Sequence, residues 1–119
     1  MNMRKTMLAA AAALLAGSAF AGDADFTLVN RTGYPIREVY ISAAHKNNWG
    51  RDRLGEGILE NNKSRFFRFH DRASCSNDLK VVFDDNGTEV TWDEVDLCDL
   101  EKLTIRYDRR SKKVTAFKE

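Results

Sequence analysis

The chain has 119 residues, of which 43% are hydrophobic, and its 19 lysines and arginines nearly balance its 18 aspartates and glutamates. This length and composition are typical of one globular domain. The balanced charge argues against a dedicated nucleic-acid-binding domain, which would be strongly basic, so we expect no nucleic-acid partner.

The first 21 residues have the three regions of a secretory signal peptide. Arg4 and Lys5 supply the positive start, residues 8–16 are an unbroken apolar run, and Ala19-Phe20-Ala21 is a small-x-small cleavage site. The apolar run is shorter than the ~20 residues that a membrane-spanning helix needs. We expect export by the general secretory route and cleavage after Ala21. The mature form would then have no membrane anchor and would be located in the periplasm or outside the cell.

The predicted mature part contains two cysteines, Cys75 and Cys98. Removing 21 of 119 residues leaves 98, and the loss of Arg4 and Lys5 leaves 17 basic against 18 acidic side chains. In an oxidising compartment an even pair of cysteines indicates a disulfide. We therefore predict a Cys75–Cys98 bond that ties the strand starting near Leu79 to the segment before Leu103.

Alternation of apolar and polar residues predicts a series of half-buried strands along the mature part. Asn86-Gly87 and residues 109–112 have the composition and length of hairpin connections, and the aspartates of residues 93–99 suggest a short helical turn. Strands at such spacing predict a sandwich or a small barrel. We expect an antiparallel β-sandwich of about seven strands, with residues 22–119 as one domain. The predicted strands contain Phe26–Val29, Arg37–Ile41, Phe67–Phe69, Leu79–Phe83, Val90–Trp92, Leu103–Tyr107 and Val114–Phe117.

A polar segment, residues 45–57, contains one tryptophan and three glycines. Loops on rigid β scaffolds often carry binding residues, and a tryptophan flanked by arginine and aspartate has the composition of an interaction hot spot. We therefore take Trp49, Arg51, Asp52 and Arg53 as candidate binding residues. The alternative is that Trp49 packs into the edge of the core and the glycines only permit turns.

Residues 65–72 alternate between aromatic and charged side chains. Phe67 and Phe69 are predicted to face the core. The opposite face would then be a basic stripe that could bind an anion or an acidic partner, although such stripes are more often solvated sheet faces with acidic neighbours. The candidate binding residues on this stripe are Arg68, His70 and Arg72, next to Phe66.

The sequence carries no recognisable catalytic or metal-binding motif. His45 and His70 are the only histidines and lack zinc-ligand spacing, and residues 84–87 lack the ligand spacing of a calcium loop. There is no G-x-S-x-G or H-E-x-x-H motif. We expect no enzyme activity, no metal and no cofactor. A small hydrolase that uses carboxylates, and a loose calcium site at Asp93, Asp96 or Asp99, stay open as alternatives.

Four short motifs occur in a distinctive order along the chain. They are Asn30-x-Thr32-Gly33, Trp49-Gly50-x-Asp52-x-Leu54-Gly55, Cys75-x-x-Asp78-Leu79-x-Val81-x-Phe83 and Asp96-Leu97-Cys98. In the order of these motifs the chain resembles a group of small exported proteobacterial proteins of uncharacterised function. The resemblance covers most of the mature part and implies export, a disulfide and a β-rich domain.

These observations predict a non-enzymatic binding module with a protein partner in the envelope or outside the cell. An inhibitor or accessory protein of an exported enzyme would fit the size and compartment. In this interpretation Trp49, Arg51 and Arg53 form the central contact, and the stripe of residues 68–72 forms a polar rim. The alternative is a periplasmic protein that binds a small ligand, calcium or an anion.

Overall fold

The computed structural model describes residues 23–119, so the predicted signal peptide lies outside the described residues and stays a prediction. Within this range the regular structure is all strand apart from one 3₁₀ turn, Leu97–Asp99. None of its helical segments is long and apolar enough to cross a membrane. The strands are β1 (Phe26–Arg31), β2 (Ile36–Ala43), β3 (Ser64–Phe67), β4 (Ser76–Phe83), β5 (Glu89–Asp96), β6 (Lys102–Asp108) and β7 (Lys113–Lys118).

The seven strands form two packed sheets, as predicted from the alternating pattern. One sheet has four strands in the order β3-β1-β6-β7, and the other has three in the order β2-β4-β5. Neighbouring strands are antiparallel except β1 and β6, which are parallel, with Thr27 opposite Lys102 and Asn30 opposite Ile105. The alternation of side chains identifies the two faces of a strand but not its direction, so it could not show that one neighbouring pair in the predicted antiparallel sandwich is parallel.

The hydrophobic core lies between the two sheets. Most of its members come from alternate positions of the strands, because successive side chains of a strand point to opposite faces. Complete burial of an aliphatic or aromatic side chain stabilises the fold by about 1.5–3 kcal/mol. Core residues that are at most 1% exposed include Phe26, Leu28, Ile36, Val39, Leu79, Val81, Leu97 and Ile105.

The connection between β4 and β5 is the hairpin turn that Asn86-Gly87 predicted. Gly87 has a φ of +74°, a region that a residue without a Cβ adopts at little cost. The Phe83 amide donates to the Thr88 carbonyl over 2.9 Å, and the Thr88 amide donates to Asn86 Oδ1 over 3.0 Å. Residues 109–112 likewise connect β6 to β7, with a hydrogen bond of 2.7 Å from the Lys112 amide to the Asp108 carbonyl.

The long connection from β2 to β3 runs along the outer edge of β2. Ile36 pairs with Leu59 through two backbone hydrogen bonds, and the Arg53 amide donates to the Val39 carbonyl over 2.7 Å. The loop therefore satisfies backbone groups of an edge strand that would otherwise be open to another chain. This course brings residues 44–57, which we name the Trp49 loop, next to the outer face of the three-stranded sheet.

Candidate functional site

Asp52 fixes the second half of the Trp49 loop to β2. One carboxylate oxygen, Oδ1, accepts hydrogen bonds from the amides of Val39 and Leu54, each over 2.9 Å. A carboxylate that accepts backbone amides makes charge-assisted hydrogen bonds, which are stronger than neutral ones. The structure thus places Asp52 as an anchor of the loop, although the sequence marked it as a binding residue.

Asp78 fixes the first half of the loop. Its side chain is only 4% exposed, and its two oxygens accept the amides of His45 over 3.0 Å and Glu94 over 2.9 Å. Both donors have left-handed backbones, with φ of 66° and 55°. The hydrogen bond from the Glu94 amide is the largest cause that holds the pKa of Asp78 below its ordinary value, followed by that from His45. The side chains of the same two residues also meet, with His45 Nε2 2.8 Å from Glu94 Oε2.

Trp49 lies on the outer face of the three-stranded sheet. The Lys80 ammonium nitrogen is 4.8 Å from the centre of the indole ring and 5.0 Å from the centre of the Tyr40 ring. Tyr40 and Lys80 are directly opposite each other on β2 and β4. Trp49 is half-buried and does not belong to the set of core and core-packed residues. The indole is therefore held against a cation on the sheet and is not part of the core.

Glu38 extends this cluster along the same face. The Tyr40 hydroxyl donates to Glu38 Oε1 over 2.6 Å, and Arg37 Nε lies 3.1 Å from Glu38 Oε2. The hydrogen bond from Tyr40 is the largest cause that lowers the pKa of Glu38, and the same bond raises the pKa of Tyr40 to about 12. The tyrosine hydroxyl is therefore protonated at neutral pH and donates to Glu38.

Arg53 points to a different part of the surface. Its guanidinium carbon lies 5.1 Å from the centre of the Phe69 ring, and Phe69 packs against the core beside Phe26, with 6.1 Å between ring centres. Burial lowers the pKa of the Arg53 guanidinium. Arg53 thus covers the end of the core, whereas Arg51 is exposed. The structure does not bring Arg53 into the group formed by Trp49, Lys80, Tyr40 and Glu38, which we name the Trp49 cluster.

The predicted basic stripe is not a strand face over its whole length. Strand β3 ends at Phe67, and residues 70–73 form a turn in which the Ala73 amide donates to the His70 carbonyl over 2.9 Å. Arg68, His70 and Arg72 are exposed. His70 Nδ1 lies 3.0 Å from Asp71 Oδ1 and 3.2 Å from the Arg72 amide. The prediction for Phe67 and Phe69 is confirmed, since Phe67 is a core residue and Phe69 packs against the core.

The predicted disulfide between Cys75 and Cys98 is present, with 5.1 Å between the Cα atoms. The Leu97 amide also donates to the Cys75 carbonyl over 2.8 Å, so β4 and the 3₁₀ turn are joined twice. Among the described residues, one group of three potential metal ligands converges, namely Cys75, Asp96 and Cys98. The disulfide occupies both sulfurs, and Asp96 caps the 3₁₀ turn through the Cys98 amide.

Two cavities lie along the side of the sandwich where β5 and β7 are the edge strands. The first, about 340 Å³, opens between the two hairpin turns, where the rings of Tyr34 and Tyr107 meet edge to face at 5.8 Å. The second, about 590 Å³, lies between β5 and β7 and is lined by Trp92 together with Asp93, Glu94 and Asp96. Both volumes fall in the range of small-molecule sites, about 300–1,000 Å³.

Sequence reasoning identified Trp49 but missed the residues around it. Tyr40 and Lys80 lie at the solvent-facing positions of two predicted strands. A tyrosine or a lysine at such a position does not by itself indicate a binding site. Their cross-strand pairing could have been found only from the register of β2 and β4. Asp78 was noted within a motif, but its two loop contacts depend on the bulge in β5 opposite it.

None of the protein-family models, curated proteins and solved structures with which the chain was compared matches it. The resemblance to small exported proteobacterial proteins therefore stays a prediction.

Proposed function

We propose that this chain is a non-enzymatic binding module that recognises a partner protein through the surface centred on Trp49. The observation that carries the proposal is the position of the indole, which lies against Lys80 on the outer face of the sheet and outside the core. Tryptophan and arginine are the residue types most enriched at the energetic centres of protein interfaces. Arg51, two positions along the loop, is exposed.

The loop is held by polar anchors that do not depend on the indole. Asp52 binds the second half of the loop and Asp78 binds the first half, each through two backbone amides. The segment that carries the tryptophan is therefore tethered on both sides before any partner arrives. Such preorganisation reduces the conformational entropy lost on binding.

The predicted compartment supports a partner in the envelope or outside the cell. The signal peptide is a prediction from residues 1–21, and a disulfide is most stable in an oxidising environment. An inhibitor or accessory protein of an exported enzyme is the form of this proposal that fits a domain of this size. The exposed Arg68, His70 and Arg72 follow β3, a strand of the other sheet, and in this proposal they lie outside the central contact.

The test is an affinity pull-down of the oxidised mature protein from envelope and secreted extracts, with Trp49→Ala and Ile58→Ala compared. Ile58 is an exposed apolar residue of the β2–β3 connection, 40% exposed, and serves as the matched control. We expect a stoichiometric partner that Ile58→Ala retains and Trp49→Ala loses, with an affinity reduced by about 2 kcal/mol or more.

The melting temperature separates binding from stability. Trp49→Ala removes a partly exposed cation–π contact, so it should destabilise the fold by no more than about 1 kcal/mol. A loss of several kcal/mol would assign the indole to the packing of the domain instead. An unchanged partner in the Trp49→Ala sample would also contradict the proposal.

Binding of a small molecule is a second candidate function, which the cavity between the hairpin turns favours. Tyr34 and Tyr107 form one wall, and Asp85 and Lys112 supply opposite charges. A ligand that binds only the native state must raise the melting temperature. A screen of small aromatic and zwitterionic solutes that leaves this temperature unchanged would remove this candidate.

A further inference from the structure

The outer surface of the four-stranded sheet carries two exposed phenylalanines. The strand register places Phe66 opposite Thr27, Val29 opposite Thr104, and Thr104 opposite Phe117. These residues alternate with core residues such as Leu28 and Leu103, so they all face away from the core. We name this surface the Phe66–Phe117 face.

The two rings flank a strip of short side chains. Phe66 on β3 is 53% exposed and Phe117 on β7 is 50% exposed, whereas Val29 and Thr104 between them are at most 8% exposed. Strands β3 and β7 are three strand spacings, about 14 Å, apart across the sheet, and the register offsets Phe66 from Phe117 by two residues along the strands. Neighbouring side chains cover much of the strip between the two rings, so the face is a shallow trough with an aromatic ring toward each side.

Cations outnumber acids on this face. The same alternation puts four exposed cations here, against two acidic side chains, Asp108 and Glu119. Asp108 already accepts hydrogen bonds from the Arg110 amide and the Ser111 hydroxyl. The four cations are Arg31, Lys102, Arg106 and Lys113. By contrast, residues 84–101 contain eight acidic side chains and no lysine or arginine. The net charge of the chain is therefore near zero although this face and residues 84–101 carry opposite charges.

We propose that the Phe66–Phe117 face docks an acidic polypeptide segment of a partner protein. Apolar side chains of the segment would lie between the two rings, and its carboxylates would reach the surrounding cations. The positive potential complements such a segment and favours its encounter with this face. The two exposed rings supply apolar surface that the side chains of such a segment can contact.

Two other polyanionic partners fit the face less well. Successive bases stack about 3.4 Å apart along a strand, whereas these rings are on strands about 14 Å apart, at opposite edges of the sheet. A nucleic acid or an anionic membrane presents charge over a large area, and one that extended past β7 would meet Asp93, Glu94 and Asp96 of β5 at the side of the sandwich. A short acidic segment meets only the trough.

This proposal does not depend on the proposed function. Trp49 lies on the outer face of the three-stranded sheet, whereas the Phe66–Phe117 face belongs to the other sheet. The two surfaces are on opposite sides of the sandwich. Loss of binding at one of them would leave the other intact, so their failures can be distinguished.

The first experiment titrates the ¹⁵N-labelled mature protein at low salt with a peptide of alternating glutamate and valine. We expect saturable shifts of the amide signals of Thr27, Val29 and Thr104, and weaker affinity at high salt because salt screens exposed charges. A lysine–valine peptide and a glutamate–serine peptide test the need for negative charge and for apolar side chains. A poly-dT oligonucleotide and vesicles containing phosphatidylglycerol test the other polyanions.

The second experiment measures the affinity of the glutamate–valine peptide for two double variants. Arg31→Gln with Arg106→Gln removes two cations, and Phe66→Ser with Phe117→Ser removes both rings. We expect each pair to weaken binding by about tenfold. The arginine pair should change the melting temperature little because both side chains are exposed, whereas the phenylalanine pair should lower it somewhat because each ring is about half buried, so the amide spectrum of each variant checks that it is folded. The matched charge control is Lys46→Gln with Arg109→Gln, two exposed cations that the strand register does not place on this face.

Each outcome decides the proposal. Shifts confined to this face and lost in both variant pairs, with the control unchanged, would support it. It is overturned by no binding of the glutamate–valine peptide, by equal binding of the lysine–valine or glutamate–serine peptide, or by shifts elsewhere. Tighter binding of the oligonucleotide or the vesicles would replace the peptide with that class of ligand.

Discussion

Removal of the disulfide should cost this domain a large part of its stability. The Cys75–Cys98 bond closes a covalent ring around β4, the hairpin turn and β5, because its ends are 23 positions apart. The ring restricts the unfolded chain far more than the folded one, in which the same segments are already adjacent. The perturbation is the double substitution Cys75→Ala with Cys98→Ala, which avoids a leftover thiol.

The magnitude follows from the size of the ring. In the chain-entropy model a loop of this length stabilises the fold by about 3 kcal/mol. For a domain of 60–100 residues each kcal/mol shifts the melting temperature by about 4–8 °C, so the variant should melt about 12–24 °C lower. Small domains have a total stability of about 5–15 kcal/mol, and the variant should therefore stay folded at room temperature.

Urea and thermal unfolding followed by circular dichroism measure this loss. The wild-type protein in excess dithiothreitol should agree with the variant, since both lack the covalent ring, and Ser74→Ala is the control for substitution near the bond. The urea dependence of the unfolding free energy should also become steeper, because an unrestricted chain exposes more surface. A loss below about 1 kcal/mol in both samples would refute the reasoning that the ring acts on the unfolded chain.

Two further predictions concern titration. The pKa of Asp78 is lower in the folded protein than its ordinary value of 3.8, so its contribution to stability is present above that pH and is lost as the pH falls through the folded pKa. Asp78→Asn should be less stable at neutral pH and lose less on acidification, as melting temperatures between about pH 2 and 6 would show; equal slopes would contradict this role. The pKa of Tyr40, about 12, exceeds the ordinary 10.0 mainly because of its bond to Glu38, so stability should fall as the pH rises between these values. Phenolate absorbance should show one late-titrating tyrosine whose pKa returns toward 10.0 in Glu38→Gln, and an unshifted curve would exclude this bond.

The strands and the disulfide could be predicted because each has a local signal. Leu79, Val81 and Phe83 alternate with other residues over one strand, and Asn86-Gly87 marks the following turn. A pair of cysteines leaves only one intramolecular connection to consider. These features depend on a few residues near each other in sequence, so the pattern alone was sufficient.

The surroundings of Trp49 could not be predicted in the same way. The cluster joins a loop residue to Tyr40 on β2 and Lys80 on β4, and it exists only because of the register between those strands. The composition of the loop also suggested that Asp52 and Arg53 would act together with the tryptophan. Instead Asp52 binds backbone amides and Arg53 covers Phe69, because the path of the loop along β2 determines where each side chain points.

The position of β1 in its sheet has a consequence for the order in which the chain folds. The first strand of the domain lies between β3 and β6, and β6 comes near the end of the chain. During synthesis β1 has only β3 to pair with until Lys102–Asp108 emerges, and a two-stranded ribbon is marginally stable in water. Contacts so distant in sequence also slow folding. The chain therefore passes most of its synthesis without a complete four-stranded sheet, and its last two strands are the ones that close the domain.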